Sequence, residues 1–80
     1  METRIRREEE ALSSLITELV NEVRWHMRVR NLTDADVAQR MGVATGRVSQ
    51  ILSGGENLTL RTVAALMAAL DVRCDIRMVF

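Results

Sequence analysis

The 80-residue sequence has no proline, no lysine, one cysteine and only two aromatic residues, Trp25 and Phe80. A single cysteine excludes an internal disulfide and a cysteine-rich zinc site. No apolar run approaches the roughly 20 residues needed to span a bilayer. The charged segment at residues 1–10 also lacks the apolar stretch of a signal peptide. These absences predict one small cytoplasmic domain with an aliphatic core and no membrane segment.

The charges cancel in total but are unevenly distributed. Eleven arginines balance eleven acidic residues. Residues 1–23 hold three arginines against six glutamates, whereas residues 24–61 hold six arginines against three acidic residues. A neutral total argues against binding nucleic acid mainly through charge, and so small a local surplus is also typical of an ordinary solvated surface. Charge alone therefore does not predict DNA binding.

Hydrophobic periodicity predicts a long first helix and a short second one. Residues 4–30 contain no glycine and carry an apolar stripe at i, i+4 spacing, and Asn31 is expected to end this helix. Thr33 is a predicted N-cap for the second helix, which Gly42 should end after about two turns. The second helix is not expected to have a full capping box, because Asp36 is shorter than the usual glutamate.

Two further helices are predicted in the second half of the chain. One covers residues 45–52, and Thr59 is expected to cap another that ends near residue 70. Apolar spacing predicts which side chains face the core. These are Leu12, Leu15, Ile16, Leu19, Val20, Val23 and Met27 in the first helix, Val37, Ala38 and Met41 in the second, Val43 in the turn, Val48, Ile51 and Leu52 in the third, and Leu60, Val63, Leu66, Met67 and Leu70 in the fourth.

The tail, residues 72–80, changes to a two-residue rhythm that is typical of a strand. A lone strand leaves its backbone donors and acceptors unpaired, and an apolar edge favours association. Antiparallel pairing with a second copy across a two-fold axis would satisfy both backbones. The alternative is a frayed tail folded on its own domain. The residues predicted to form the dimer face are Val72, Cys74, Ile76, Met78 and Phe80.

Residues suited to catalysis or metal binding are scarce. His26 is the only histidine and lies in a predicted helix beside Trp25, where a packing or surface role is expected. Cys74 falls on the apolar face of the tail and is expected to be a small buried hydrophobe. The sequence has no phosphate-binding loop, and no catalytic triad is expected with a single histidine. We therefore expect neither an enzyme nor a bound metal or cofactor.

A short helix, a glycine-centred turn and a second short helix occupy residues 33–52. This spacing suits a helix-turn-helix motif, although a generic helical hairpin has the same pattern. The run Leu32-Thr33-Asp34-Ala35-Asp36-Val37-Ala38-Gln39-Arg40-Met41-Gly42-Val43, continued through Ile51-Leu52-Ser53-Gly54, resembles the XRE family of lambda-repressor and Cro type. The resemblance covers about residues 16–72. The end of the tail resembles a subgroup that includes HigA-like antitoxins.

The resemblance implies an all-α, lambda-repressor-like bundle with a long N-terminal helix and a C-terminal β-strand that pairs across a dimer. Residues 1–80 would form one domain, with residues 1–15 as an N-terminal extension and residues 72–80 as the dimerisation strand. The implied base-reading residues are Thr45, Gly46, Arg47, Ser49 and Gln50, and the implied phosphate-binding residues are Thr33, Ser53, Gly54, Thr59 and Arg61.

Four positions depart from the family pattern, and one of them, Gly46, leaves a side-chain gap in the implied reading face. Relatives often carry glutamine where this chain has Asp34, and an ionised aspartate should repel phosphate. Gly55 and Glu56 occupy a loop where relatives often carry lysine. These departures predict a weakly binding monomer with a shallow salt dependence, because a neutral chain gains little from counterion release.

The sequence and the resemblance together predict two possible functions. The first is a sequence-specific repressor that acts as a homodimer on a palindromic operator in double-stranded DNA. The alternative is an antitoxin that neutralises a toxin protein through the acidic first helix, residues 2–22, and regulates its own operon. A solvated helix face would explain the same acidic residues without a toxin partner.

Overall fold

The computed structural model describes residues 2–54 and 58–80, and within them it contains four α-helices and no strand. The helices are α1 (Glu2–Val29), α2 (Asp34–Met41), α3 (Thr45–Leu52) and α4 (Leu60–Leu70). All four predicted helices are confirmed to within about two residues at each end. No described helix is long and apolar enough to cross a membrane.

The entry to α2 is a complete capping box, contrary to the prediction. The Thr33 hydroxyl accepts a hydrogen bond from the Asp36 backbone N–H at 3.2 Å, and the Asp36 carboxylate accepts one from the Thr33 N–H at 2.8 Å. An aspartate therefore closes the box that usually needs a glutamate. The pKa of Asp36 is lowered, chiefly because the Thr33 backbone N–H donates to the carboxylate and secondly because the Thr33 hydroxyl donates to it.

Left-handed residues end three of the four helices. Asn31 follows α1 with φ 57°, Gly42 follows α2 with φ 72°, and Asp71 follows α4 with φ 53°. Glycine suits this conformation because it lacks a Cβ, and the short polar side chains of asparagine and aspartate tolerate it. The predicted stop at Asn31 and the predicted stop at Gly42 are both confirmed. The predicted cap of α4 is confirmed too, since the Thr59 hydroxyl accepts from the Thr62 N–H at 3.1 Å.

The core lies where α2, α3, α4 and the C-terminal half of α1 meet. Three predicted core residues are instead exposed: Leu15 is 65% exposed, Leu60 is 82% exposed and Val43 is 39% exposed. Periodicity identified an apolar face at these positions, but no described element covers Leu15 or Leu60. The buried residues are Val23, Met27, Val37, Ala38, Val48, Ile51, Leu52, Leu66, Ala69 and Leu70.

Two arginines bind the C-terminal end of α4. Arg40 of α2 donates from Nη1 to the carbonyl oxygen of Ala69 at 3.0 Å, and Arg30 donates from Nη1 to the carbonyl oxygen of Leu70. The last carbonyls of a helix lack partners within the helix and carry the negative end of its dipole. The guanidinium groups therefore stabilise α4 and fix it to α2 and to the turn that follows α1. We call Arg30, Arg40 and the two carbonyls the α4 clamp.

The tail, residues 72–80, has no regular secondary structure in the single chain. Val72 is half-buried and packs against the core, but Ile76, Met78 and Phe80 are exposed. Cys74 is also exposed, which contradicts the expectation of a buried thiol in the isolated chain. A strand acquires its ladder only from a neighbouring strand. The predicted pairing across a dimer therefore stays a prediction.

Candidate nucleic-acid interface

Helix α3 has one buried and one exposed face. Val48, Ile51 and Leu52 lie in the core, whereas the opposite face of the helix is open. Helix α2 packs against both α3 and α4, so α3 is supported from behind. The five residues that the resemblance implies for base reading are all exposed: Thr45, Gly46, Arg47, Ser49 and Gln50.

The N-terminal turn of α3 is open to a ligand. Its N-cap residue, Ala44, makes no side-chain capping bond, and the first turn holds no acidic residue. A Cβ added at Gly46 would meet nothing within 4 Å. Backbone N–H groups at this end carry the positive end of the helix dipole, which favours anionic groups. The turn thus combines open space with a favourable electrostatic environment for the DNA backbone.

Asp34, at the start of α2, contacts both the exposed face of α3 and the first helix. The hydroxyl of Ser49 donates to Asp34 Oδ2 at 2.9 Å, and Arg24 Nη1 lies 3.7 Å from Asp34 Oδ1. The Arg24 and Asp34 side chains are 42% and 26% exposed. We call these three residues the Asp34 network. No linear pattern could have revealed it, because its members are 10 and 15 residues apart in sequence.

The implied phosphate-binding residues lie at three helix ends. Thr33 precedes α2 and donates its hydroxyl proton to Asp36 Oδ2 at 3.0 Å, and Ser53 follows α3 and donates to the Gln50 carbonyl at 2.7 Å. The Thr59 hydroxyl lies 3.0 Å from that of Thr62. The hydroxyls of Thr33, Ser53 and Thr59 thus all make bonds within the protein.

The other implied phosphate-binding residues are Gly54 and Arg61. Gly54 has φ 77° and approaches Ile16 of α1, while Arg61 is exposed at the start of α4. Gly55 and Glu56, the predicted departures in the loop, lie outside the described residues.

Comparison with known proteins decides the family. A helix-turn-helix family model matches residues 27–76, which is more than half of the chain and includes all of α2, α3 and α4. The chain belongs to the XRE family of helix-turn-helix proteins. Neither a search of curated proteins nor a search of solved structures gave a significant match. This XRE-family chain is a DNA-binding transcription regulator, and its partner is double-stranded DNA.

The family is a DNA-binding regulatory family rather than an enzyme family. Among the described residues, no three histidine, cysteine, aspartate or glutamate side chains converge as metal ligands would. His26 packs edge-on against Trp25, with ring centroids 4.9 Å apart. The packing role expected for this histidine fits that contact.

Proposed function

We propose that this XRE-family regulator is a sequence-specific repressor that acts as a homodimer on a palindromic operator. The observation that carries the proposal is the exposure of all five implied reading residues on α3, opposite its buried face. A helix supported on one side and open on the other can enter the major groove with its N-terminal residues toward the bases.

The exposed side chains of α3 match the hydrogen-bonding pattern of the major groove. Arg47 can donate two bonds to O6 and N7 of guanine, and Gln50 can pair with N6 and N7 of adenine. The methyl group of Thr45 can pack on thymine, and Gly46 lets the backbone approach closely. Ser49 can contribute an acceptor, because its hydroxyl proton is already donated to Asp34.

Phosphate binding in this proposal uses backbone groups and one arginine. The hydroxyls of Thr33, Ser53 and Thr59 have partners in the protein, as do the N–H groups of Thr33, Ser53 and Gly54. The remaining backbone N–H groups at the starts of α2 and α4 are therefore the better donors to phosphate. Arg61 adds a cation at the start of α4. These contacts orient the helix-turn-helix and carry no sequence information.

The homodimer part of the proposal depends on the tail. Ile76 is 80% exposed and Met78 is 91% exposed in the single chain, which is costly for apolar side chains next to a small core. Pairing two tails as antiparallel strands would cover these side chains and satisfy both backbones. The two reading helices would then contact half-sites about 34 Å apart, one turn of DNA.

The reading face is tested with Arg47→Ala and Gln50→Ala. Each should weaken binding to the preferred sequence by roughly 1–3 kcal/mol and relax specificity at one position. The preferred sequence comes from a selection of bound DNA out of random duplexes at a stated salt concentration. Arg28→Ala, which removes an exposed arginine from α1, is the matched control. Unchanged affinity and sequence preference in both α3 variants would show that the reading face is assigned wrongly.

The dimer is tested by deleting residues 73–80. The deletion leaves Val72, the last residue that packs on the core, and should halve the particle mass measured by light scattering. Binding to a two-half-site operator should lose its cooperativity, while binding to one half-site should remain. An unchanged mass would remove the tail from the interface.

A second candidate function, the antitoxin, is favoured by the first helix. Residues 3–11 of α1 are all exposed, Ile5 is 49% exposed and Leu15 is 65% exposed, so an apolar and acid-rich surface is available to a partner. The test is co-expression with the product of a neighbouring toxin-like reading frame. Rescue of growth by the full chain, and loss of rescue on deleting residues 2–15, would support this function. Growth arrest with the full chain would reject it.

A further inference from the structure

We propose that the Asp34 network limits binding to non-specific DNA by withholding Arg24 from the phosphate backbone. The inference depends on the proposed function, because it takes the exposed face of α3 as the surface that meets DNA. It goes further by assigning a role to Arg24, which is among neither the implied base-reading nor the implied phosphate-binding residues, and by giving Asp34 a role beyond repelling phosphate.

The location of Asp34 follows from its bond to Ser49. Ser49 is exposed on α3, and its hydroxyl lies 2.9 Å from the Asp34 carboxylate. Any DNA that docks on this face therefore approaches the carboxylate as well. A carboxylate near phosphates is unfavourable unless a cation accompanies it. Arg24, 3.7 Å away, is the cation that accompanies it here.

The same contact should keep the contribution of Arg24 to DNA affinity small. Its guanidinium lies 3.7 Å from Asp34, which in turn bonds to Ser49 on the exposed face of α3. The Arg24 side chain is 42% exposed, so it is accessible to solvent. Within the network its charge is opposed by Asp34, and the pair presents little net charge to the DNA. Removing the carboxylate would leave the arginine as a net positive charge beside the docking face.

Ser49 has a positioning role in this network. Its hydroxyl donates a hydrogen bond to Asp34, which connects the exposed side of α3 to the start of α2. The buried side of α3 packs in the core. The hydroxyl can then only accept from a base, so base discrimination depends mainly on Arg47 and Gln50.

The expected effect can be expressed as a salt dependence. Each phosphate that a protein neutralises contributes about −0.9 to the slope of log K against log salt. Freeing Arg24 for one phosphate should steepen the slope by about 0.9. Between 50 and 200 mM salt, the affinity of the variant should therefore fall about 3.5-fold more than that of the original chain.

The experiment measures binding of the full chain to its selected operator and to an unrelated duplex of equal length, across this salt range. The variants are Asp34→Asn, Arg24→Gln and the combination of the two. Glu18→Gln is the matched control, because it removes one negative charge from an exposed position of α1 outside the network. Thermal melting confirms that each variant is folded at the assay temperature.

Asp34→Asn should bind the unrelated duplex more tightly at low salt and show the steeper slope, and the double variant should return to the original slope. Equal slopes for Asp34→Asn and Glu18→Gln would overturn the proposal, as would a double variant that keeps the steeper slope.

Arg24→Gln leaves α2 intact and should weaken non-specific binding at low salt, because Asp34 is then unopposed. It provides the test if Asp34→Asn does not fold, and unchanged non-specific binding would refute the proposal. A failure of the proposed function looks different: the original chain would then select no DNA sequence at all.

Discussion

Replacing Arg40 with methionine tests the α4 clamp directly. Methionine keeps an apolar stem of similar length but cannot donate to the Ala69 carbonyl, which Arg40 reaches at 3.0 Å. Hydrogen bonds from charged groups contribute about 1.5–3 kcal/mol when buried, and a cation at a helix C-terminus contributes about 0.3–1 kcal/mol when exposed. Because this contact is only partly buried, we expect a loss of about 1 kcal/mol in the free energy of unfolding.

A loss of this size is measurable in so small a domain. A chain of 80 residues has a total stability of about 4–12 kcal/mol. A change of 1 kcal/mol shifts the Tm of such a domain by about 4–8 °C. The assay is thermal unfolding followed by circular dichroism at fixed protein concentration, because a dimer makes the Tm concentration-dependent.

The control for this prediction is Arg6→Met, which removes an exposed arginine from α1. The control should change stability by less than about 0.5 kcal/mol. Arg30→Met should destabilise the fold in the same way as Arg40→Met, since Arg30 binds the neighbouring Leu70 carbonyl. If Arg40→Met melts at the same temperature as Arg6→Met, the bond to Ala69 contributes nothing to stability, and if Arg30→Met does so too, the clamp has no energetic role.

Three other predictions follow from local structure. Gly42→Ala should lower the free energy of unfolding by about 1 kcal/mol, because Gly42 has a φ of 72°. Gly46→Ala, inside α3 with open space around it, should raise the free energy of unfolding by up to about 1 kcal/mol, measured by urea unfolding. The pKa of Asp36 lies below its ordinary value of 3.8, so its capping stabilisation is complete above that pH and is lost as the pH falls through the lowered pKa. In acid titrations of stability, the Asp36→Asn variant should therefore show a flatter pH dependence than the original chain. An equal pH dependence in the two chains would refute the contribution of the capping box. Hydrogen exchange by mass spectrometry should find the amides of residues 6–11 less protected than those of residues 23–29, and equal protection would contradict the lack of packing around the first half of α1.

The helix ends could be predicted from sequence because their causes are local. Thr33 and Thr59 each bond to a group three residues away, and Gly42 needs only its own freedom of φ. Such interactions are present in the linear sequence. The exposure of Leu15 and Leu60 could not be predicted, because a helical period defines a face without saying whether a neighbour covers it.

The contacts that shape the candidate interface were also beyond sequence reasoning. Asp34 was expected to repel phosphate, but no sequence pattern predicted that it bonds to Ser49 and lies beside Arg24. Arg40, a basic residue of the helix-turn-helix segment, donates to the Ala69 carbonyl, 29 residues away. Arginines that look equivalent in a sequence differ in the partners that tertiary packing brings to them.

The α4 clamp has a geometric consequence for DNA spacing. It fixes the last turn of α4 to α2, so the point where the tail leaves the domain is set relative to α3. In the proposed dimer, one tail strand can shift along the other only by two residues at a time if the same apolar face is to stay covered. Such a shift is about 7 Å. Base pairs along DNA are about 3.4 Å apart, so one such step corresponds to about two base pairs. In a dimer whose paired tails run along the DNA axis, the spacing between half-sites would therefore change in steps of about two base pairs rather than continuously.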